Sequence, residues 1–293
     1  MKLLNGKQLA DKIKDEVRDE VETMNGYGQN VCLAVIQVGD NQASSVYVRN
    51  KENACKYCGI QSAIFKLDED ISEEVLIEYI EDLNTNSNIN GILVQLPLSK
   101  HIDEHKVIQA IAPEKDVDGF HEINVGKLMI GEETFVPCTA EGIIKLLIRN
   151  GIEIEGQNCV VVGRSNIVGK PTAIELLRHN GTVTICHSKT KDLKQICKGA
   201  DILVCAIGKP KFFNREYIKE GSVVIDVGIH RQEDGTLCGD VDFEDVRDIV
   251  SAITPVPGGV GPMTVTMLMQ NCVQAARNQY NLRGERYEDF RND

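Results

Sequence analysis

The sequence predicts an α/β protein of two domains, one of them a doubly wound parallel sheet, and three observations carry that reading. The chain has 293 residues, long for a single hydrophobic core. Short apolar runs alternate with longer segments of helical period, the rhythm of parallel strands joined by packed helices. One stretch, Asn158 to Ser188 (NCVVVGRSNIVGKPTAIELLRHNGTVTICHS), reads as a complete strand, turn, helix and second strand.

Composition narrows the class before any element is placed. With 42% hydrophobic and 26% charged residues the chain is that of a soluble globular protein. A formal charge of −12 with no offsetting basic tract argues against nucleic-acid or anionic-membrane partners. No window reaches the roughly 20 apolar residues of a membrane span, and the start MKLLNGKQLADKI lacks a signal-peptide core, so a cytoplasmic location is expected. The 10 cysteines are spread along apolar segments, as at Cys159, Cys186 and Cys205, which suits reduced, buried thiols. Cys55 and Cys58 form a lone CxxC with no second pair at zinc spacing, so no metal is expected.

In order, Asp11 to Met24 sets Ile13, Val17 and Val21 among charges and predicts an amphipathic helix. Val31 to Val38 (VCLAVIQV) is the first strand. The loop GDNQASS follows, with Ser44 or Ser45 as helix cap, and the helix runs to about Cys58 before Gly59. At about 100° per residue, Tyr47, Val48, Lys51, Ala54, Cys55 and Cys58 share one arc. Lys51 is the anomaly in it: either its stem snorkels to the edge, or it is a desolvated amine within reach of Tyr47 one turn earlier.

Strand Gln61 to Leu67, helix Ser72 to Leu83 and strand Gly91 to Gln95 continue the alternation. Gln95 places an amide at the carboxyl end of a strand, the edge where ligands bind in open α/β sheets. A short helix over Glu104 to Ile111 leads to PEKDVDGFH. Its Asp116 and Asp118 are either metal ligands or solvated turn carboxylates, the second being the commoner use.

FVPCT (135–139) reads as a crossing between domains, with Thr139 capping a helix through Ile148. The run Cys159 to Val162 then turns sharply at Gly163. From Gly169 the period becomes helical, with Pro171 in the first turn and Gly181 as the stop. A phosphate fingerprint needs small residues here, so that backbone N–H groups and the helix N-terminus approach a pyrophosphate. Gly163 keeps the first position, Ser165 and Val168 replace the next two glycines, and Gly169 comes one place late. This degenerate pattern fits a dinucleotide turn or an ordinary strand-to-helix turn. The second strand, Thr182 to Cys186, ends in His187, Ser188 and Lys189 and has no acid about 20 residues beyond the glycines to take a ribose 2′-OH. Arg164, Ser188 and Lys189 suit a 2′-phosphate, which favours NADP over NAD, unless the basic residues are only solvated surface charge.

Strands Asp201 to Cys205, Val223 to Val227 and Val250 to Ile253 complete the sheet. PVPGGVGPMTVT (255–266) then packs three prolines and three glycines, which suits a tight return between domains or a ligand-facing loop. The helix Val265 to Ala276 is expected to cross back to the first domain.

Together SSVYVRNK (44–51), GILVQLPL (91–98), PEKDVDGFH (113–121), GRSNIVGKP (163–171) and PVPGGVGPMTV (255–265) resemble the bifunctional methylenetetrahydrofolate dehydrogenase/methenyltetrahydrofolate cyclohydrolase family, in order and over nearly the whole chain. The resemblance implies an N-terminal α/β folate domain over residues 1–138 plus 270–293, a Rossmann-like NADP-binding domain over 139–269, a C-terminal helix returning to the first, and a homodimer. By it Lys51 is the general acid/base, Gln95 its partner, Tyr47 the ring that packs along the pterin and bonds near the lysine, and Asp118 the carboxylate that grips the pterin. Val94, Gln95, Leu96 and the run Pro257, Gly258, Gly259, Val260, Gly261, Pro262, Met263, Thr264 and Val265 line the folate site. Gly163, Arg164, Ser165, Ser188 and Ile229 hold the dinucleotide.

The implied function is NADP-dependent oxidation of 5,10-methylenetetrahydrofolate to the methenyl form, then hydrolysis to 10-formyltetrahydrofolate, a one-carbon supply for purine biosynthesis. Hydride transfer asks for positioning. Hydrolysis asks for a group that takes and returns a proton near neutral pH; an amine in water is too basic for this, and burial is what brings such a group into range. Two alternatives stand beside this reading: a dehydrogenase of the same fold without the hydrolytic step, or of shikimate dehydrogenase type, and a catalytically silent nucleotide-binding regulator, which the intact Lys51 disfavours.

Overall fold

The structure is a computed structural model that describes residues 1–282. In chain order they form β1 (Lys2–Leu3), α1 (Gly6–Gly26), β2 (Cys32–Val38), α2 (Gln42–Cys58), β3 (Gln61–Leu67), α3 (Glu73–Thr85), β4 (Gly91–Val94), α4 (Glu104–Ala110) and α5 (Glu122–Ile130). Next come α6 (Cys138–Arg149), β5 (Asn158–Val162), α7 (Gly169–Arg178), β6 (Thr182–Cys186), α8 (Leu193–Lys198), β7 (Ile202–Cys205) and β8 (Val223–Asp226). The chain closes with β9 (His230–Arg231), β10 (Leu237–Cys238), α9 (Phe243–Val246), β11 (Ala252–Ile253) and α10 (Val260–Leu282). These elements fall into two compact units: Lys12–Lys127 with Glu133–Phe135 and the described residues from Leu268, and Met1–Asp11 with Leu128–Glu132 and Val136–Met267.

The first unit is built on a three-stranded parallel sheet of order β3-β2-β4. Every residue of β2 is buried, which is why CLAVIQV shows no alternation: a central parallel strand is covered on both faces. The sheet packs into a core with Leu76, Ile80 and Val107 from α3 and α4. Asp116 pairs beside Ile92 as a single parallel bridge. That approach requires Gly91, because a Cβ there would stand 2.6 Å from Val117 Cγ1. The later turns of α10 anchor the same segment, with Asn271 Nδ2 donating to Val117 O (2.9 Å) and Gln279 Nε2 to Asn90 O (2.8 Å). The C-terminal helix thus returns to the N-terminal α/β unit; residues 283–293 of the expected return lie outside the described residues. The chain leaves β2 for one neighbour and then crosses to the other, so the connections diverge at the carboxyl ends of β2 and β4.

The second unit holds a six-stranded sheet, all parallel, of order β1-β11-β8-β7-β5-β6. Its core joins Val160, Val162, Leu203 and Val224 from the strands to Phe213 and Val246. Here the connections diverge between β5 and β7, the Rossmann-like arrangement expected of the second domain.

Several boundaries differ from the sequence expectation, each for a local reason. Helix α2 starts at Gln42, ahead of both serines: Asn41 Oδ1 accepts from Ser44 N (3.2 Å) and supplies the cap, while Ser44 is buried inside the helix. Thr139 does not cap α6, which begins at Cys138; its hydroxyl lies 3.1 Å from that of Thr264 instead. The left-handed stop after α7 falls on Asn180 (φ 63°), and Gly181 is small because a Cβ would stand 3.0 Å from Cys159 Sγ. Helix α10 starts five residues early, at Val260; Pro262 is tolerated in its first turn, where no N–H has an intrahelical partner. Strand β1 went unforeseen, since two exposed residues become a strand only by pairing with Ala252 and Ile253.

All ten cysteines are buried and free. Burial pushes the Cys55 thiol up to about 12 and that of Cys58 up to about 11, so the CxxC pair serves as packing. Among the described residues no group of three or more His, Cys, Asp or Glu is placed to hold a metal, and no helix is long and apolar enough to cross a membrane.

Candidate active site

In the three-stranded unit, α2 carries Lys51 past the carboxyl end of β2. Its neighbours on the arc, Val48, Ala54, Cys55 and Cys58, are buried, and Lys51 itself is half-buried. The amine does not snorkel away from the sheet: Nζ donates to Gln95 Oε1 at 2.9 Å. Gln95 is fixed in turn, its backbone N–H bonded to Ile36 O (2.8 Å) and its Nε2 to Leu96 O (2.7 Å). Because the NH₂ group is engaged by the Leu96 carbonyl, the amide presents its oxygen to the amine. The contact orients the lysine without a counter-charge. Tyr47 is 46% exposed, and among the described residues its hydroxyl makes no hydrogen bond to the amine; its open ring is available for stacking.

Beside β4 opens a narrow pocket lined by Val94, Leu96, Ile108, Phe120 and the carboxylates of Asp116 and Asp118. The two acids are not equivalent. Asp116 is 1% exposed and accepts from His121 N (2.8 Å), Asn124 Nδ2 (2.8 Å) and Phe120 N (3.2 Å), while burial raises its carboxyl above the ordinary range. It is not a solvated turn carboxylate but the knot that ties residues 116–124 together. Asp118 is half-buried and faces the pocket. Lys115, between them and α4, is also buried and donates to Leu83 O (3.0 Å) and Asn86 O (2.8 Å), closing the C-terminus of α3.

The six-stranded unit presents a different edge. Gly163 follows β5 with φ 143°, and a Cβ on it would overlap the Ala206 carbonyl after β7; a Cβ on Gly169 would overlap Gly163 O. Only glycines allow this closed turn at the start of α7. Ser165 Oγ accepts from Val168 N and Gly169 N, both at 3.2 Å, and so caps α7 from inside the loop. Arg164 is exposed beside it. At the end of β6 the Thr190 hydroxyl accepts from His187 N (2.8 Å) and the His187 ring from Lys189 N (3.1 Å), a turn that leaves Ser188 and Lys189 exposed. Ile229 is 46% exposed. Pro257 to Val265 belong to this unit as well: Gly258 takes φ 102°, Lys7 N donates to Gly258 O (2.9 Å), and Met263 is fully buried against Gly142. A cradle that any Cβ would fill, at the N-terminus of a ten-residue helix, fits a dinucleotide pyrophosphate.

Two family models divide the chain between them. The tetrahydrofolate dehydrogenase/cyclohydrolase catalytic domain matches residues 4–118, and the NAD(P)-binding domain of the same family matches residues 137–280. The chain belongs to the tetrahydrofolate dehydrogenase/cyclohydrolase family. The bifunctional protein FolD of Lachnoclostridium phytofermentans is 60% identical over 275 residues, covering 94% of this chain and 98% of the relative. The crystal structure of the bifunctional enzyme FolD from Campylobacter jejuni superposes with a TM-score of 0.94 at 48% identity, over 95% of this chain and 99% of that one. The methylenetetrahydrofolate dehydrogenase-cyclohydrolase of Trypanosoma brucei, solved with NADP cofactor and inhibitor, superposes with a TM-score of 0.89 at 38% identity, over 94% and 97%.

Within this tetrahydrofolate dehydrogenase/cyclohydrolase chain the structure brings Lys51 onto Gln95, sets Val94, Leu96 and Asp118 around one pocket, and joins Gly163, Arg164 and Ser165 in one turn. Sequence reasoning missed Gln37, whose Nε2 donates to Gly39 O and Ser45 Oγ, both at 3.0 Å, and so ties the end of β2 to the helix that carries Lys51. A lone amide inside the all-apolar run VCLAVIQV was the available signal.

Proposed function

We propose that the chain catalyses two consecutive steps of one-carbon folate chemistry: NADP-dependent oxidation of 5,10-methylenetetrahydrofolate to 5,10-methenyltetrahydrofolate, and hydrolysis of that product to 10-formyltetrahydrofolate. The observation that carries the reading is the Lys51–Gln95 hydrogen bond at the edge where β2 and β4 diverge. In this reading the three-stranded unit is the folate domain and the six-stranded unit, which takes in Met1–Asp11, the NADP domain. Bound NADP supplies the hydride acceptor. Gly163, Ser165 and the first turn of α7 hold its pyrophosphate, Arg164 and Ser188 its 2′-phosphate, and Ile229 packs against it.

Lys51 takes the proton of the water that adds to the methenyl carbon and returns it to nitrogen as the C–N bond breaks. Gln95 keeps the amine aimed without adding charge. Asp118 accepts from pterin N–H donors, the Tyr47 ring packs along the pterin, and Val94 and Leu96 line the pocket beside it. The stem of Lys51 lies in the apolar arc, and its head reaches Gln95, a fixed polar partner, rather than the Tyr47 hydroxyl. The same reading places the enzyme in the cytoplasm as a homodimer, supplying formyl groups for purine biosynthesis; light scattering checks the assembly.

The test follows reduced cofactor and methenyl product separately, with methylenetetrahydrofolate and either NADP or NAD. Lys51→Met is expected to abolish methenyl hydrolysis more completely than hydride transfer. Equal loss of the two, or retained hydrolysis, overturns the role given to the lysine. Reduced cofactor with no hydrolysis in the unaltered protein makes it a dehydrogenase alone.

A further inference from the structure

In the six-stranded unit two carboxylates are buried in series, Asp226 at the end of β8 (4% exposed) and Asp240 beyond β10 (0%). Asp240 Oδ2 accepts from Ile207 N (2.6 Å) and Gly208 N (3.0 Å), and its Oδ1 from Lys209 N (2.8 Å) and His230 Nε2 (2.8 Å). Its own N–H donates to Asp226 Oδ1 (2.8 Å), which also accepts from Gly228 N (3.0 Å), while Asp226 Oδ2 accepts from Val241 N (2.9 Å). Side chains are excluded around both acids, since a Cβ on Gly228 would overlap the Asp240 carboxylate and one on Gly239 that of Asp226. Four donors meet the roughly four lone-pair sites of one carboxylate, so Asp240 is saturated. A buried carboxylate is costly unless it is bonded in this way, and here its bonds go to loops rather than to the core.

Those loops border the switch-point edge. Ile207 to Lys209 continue from β7 directly after Ala206, whose carbonyl closes against Gly163, and Gly228 and His230 flank the exposed Ile229. We propose that Asp240 is a positioning residue for the dinucleotide crevice, holding Ile207–Lys209 and the His230 side of Ile229 in one arrangement before the cofactor arrives. The inference rests on the reading of this edge as the NADP site. His230 Nε2 faces the carboxylate and acts as the outer clamp of the same knot.

Asp240→Asn leaves one acceptor oxygen and turns an NH₂ group toward backbone donors. It is expected to raise the Kd and KM for NADP at least about tenfold, with kcat at saturating NADP within about threefold and hydrolysis of methenyltetrahydrofolate, which needs no NADP, within about twofold. His230→Ala is expected to raise the NADP KM by about threefold, and His230→Gln, which still offers an N–H, to restore it. Melting temperatures are read in parallel; where Asp240→Asn does not fold, the His230 pair decides. Unchanged NADP affinity in the variants, a parallel fall of oxidation and hydrolysis, or no rescue by His230→Gln overturns the proposal. An unaltered protein that does not bind NADP overturns the cofactor reading and this proposal with it.

Discussion

Lys51 sits among buried Val48, Ala54, Cys55 and Cys58, and one neutral acceptor, Gln95 Oε1, takes its amine. A carboxylate at that point would bind the amine through a charge-assisted bond in place of a neutral one. Gln95→Glu is therefore expected to cut methenyl hydrolysis near neutral pH by about one to two orders of magnitude while the Kd for NADP stays put. Hydrolysis at the unaltered rate would show that the amide's neutrality is irrelevant. Arg164 is exposed beside the turn at Gly163, and its replacement by Ala is expected to raise the KM for NADP about tenfold more than that for NAD. An unchanged ratio removes the argument for a 2′-phosphate contact. Lys51 was legible in the sequence because a charge interrupts an apolar arc. The contrast between Asp116 and Asp118 was not: two acids two residues apart look alike until backbone donors from 120 and 121 and the Asn124 amide select one of them. Asp240 was hidden for the same reason, since its partners come from 207–209 and 230.

Among the elements, the central strands declared themselves because both their faces are covered; CLAVIQV and ILVC are buried throughout. Elements whose existence depends on a distant partner did not, such as β1 or the β9–β10 pair. Helix α10 shows the two cases in one segment. Its apolar face was readable, while its start inside the Gly/Pro run was not, because proline is acceptable in a first turn and forbidden later. Its later turns hold the acidic segment: Asn271 donates to Val117 O, midway between Asp116 and Asp118. Asn271→Leu keeps the bulk and removes this donor from the buried carbonyl. The expected outcome is a lower melting temperature together with a raised KM for methylenetetrahydrofolate and an unaltered KM for NADP. A loss of stability with both constants unchanged would mean the helix supports the fold without placing Asp118.

Across the whole molecule both units repeat one plan, parallel strands whose connections diverge beside a central strand, and each carries its polar cluster at the carboxyl edge. Keeping such clusters dry has a consequence for stability. Asp116, Glu175 and Asp226 are buried, and burial lifts the carboxyl of each, that of Asp226 to about 6. Between the ordinary carboxylate range and that raised value the folded chain holds protons that the unfolded chain has released, so stability falls as pH rises through the window. Exposed pairs such as Asp201–Lys219 and Asp248–Arg215, whose carboxyls are lowered, act in the opposite sense at more acidic pH and are screened by salt. In moderate salt, urea unfolding is therefore expected to give a smaller free energy at about pH 7 than at about pH 5, with Asp226 alone accounting for about 1 kcal/mol of the difference. Asp226→Asn keeps the shape, removes the titration and should flatten the slope by that amount. A slope identical to that of the unaltered protein would mean that Asp226 holds its three backbone donors without any cost in charge, and that the buried knot at the end of β8 is not linked to pH.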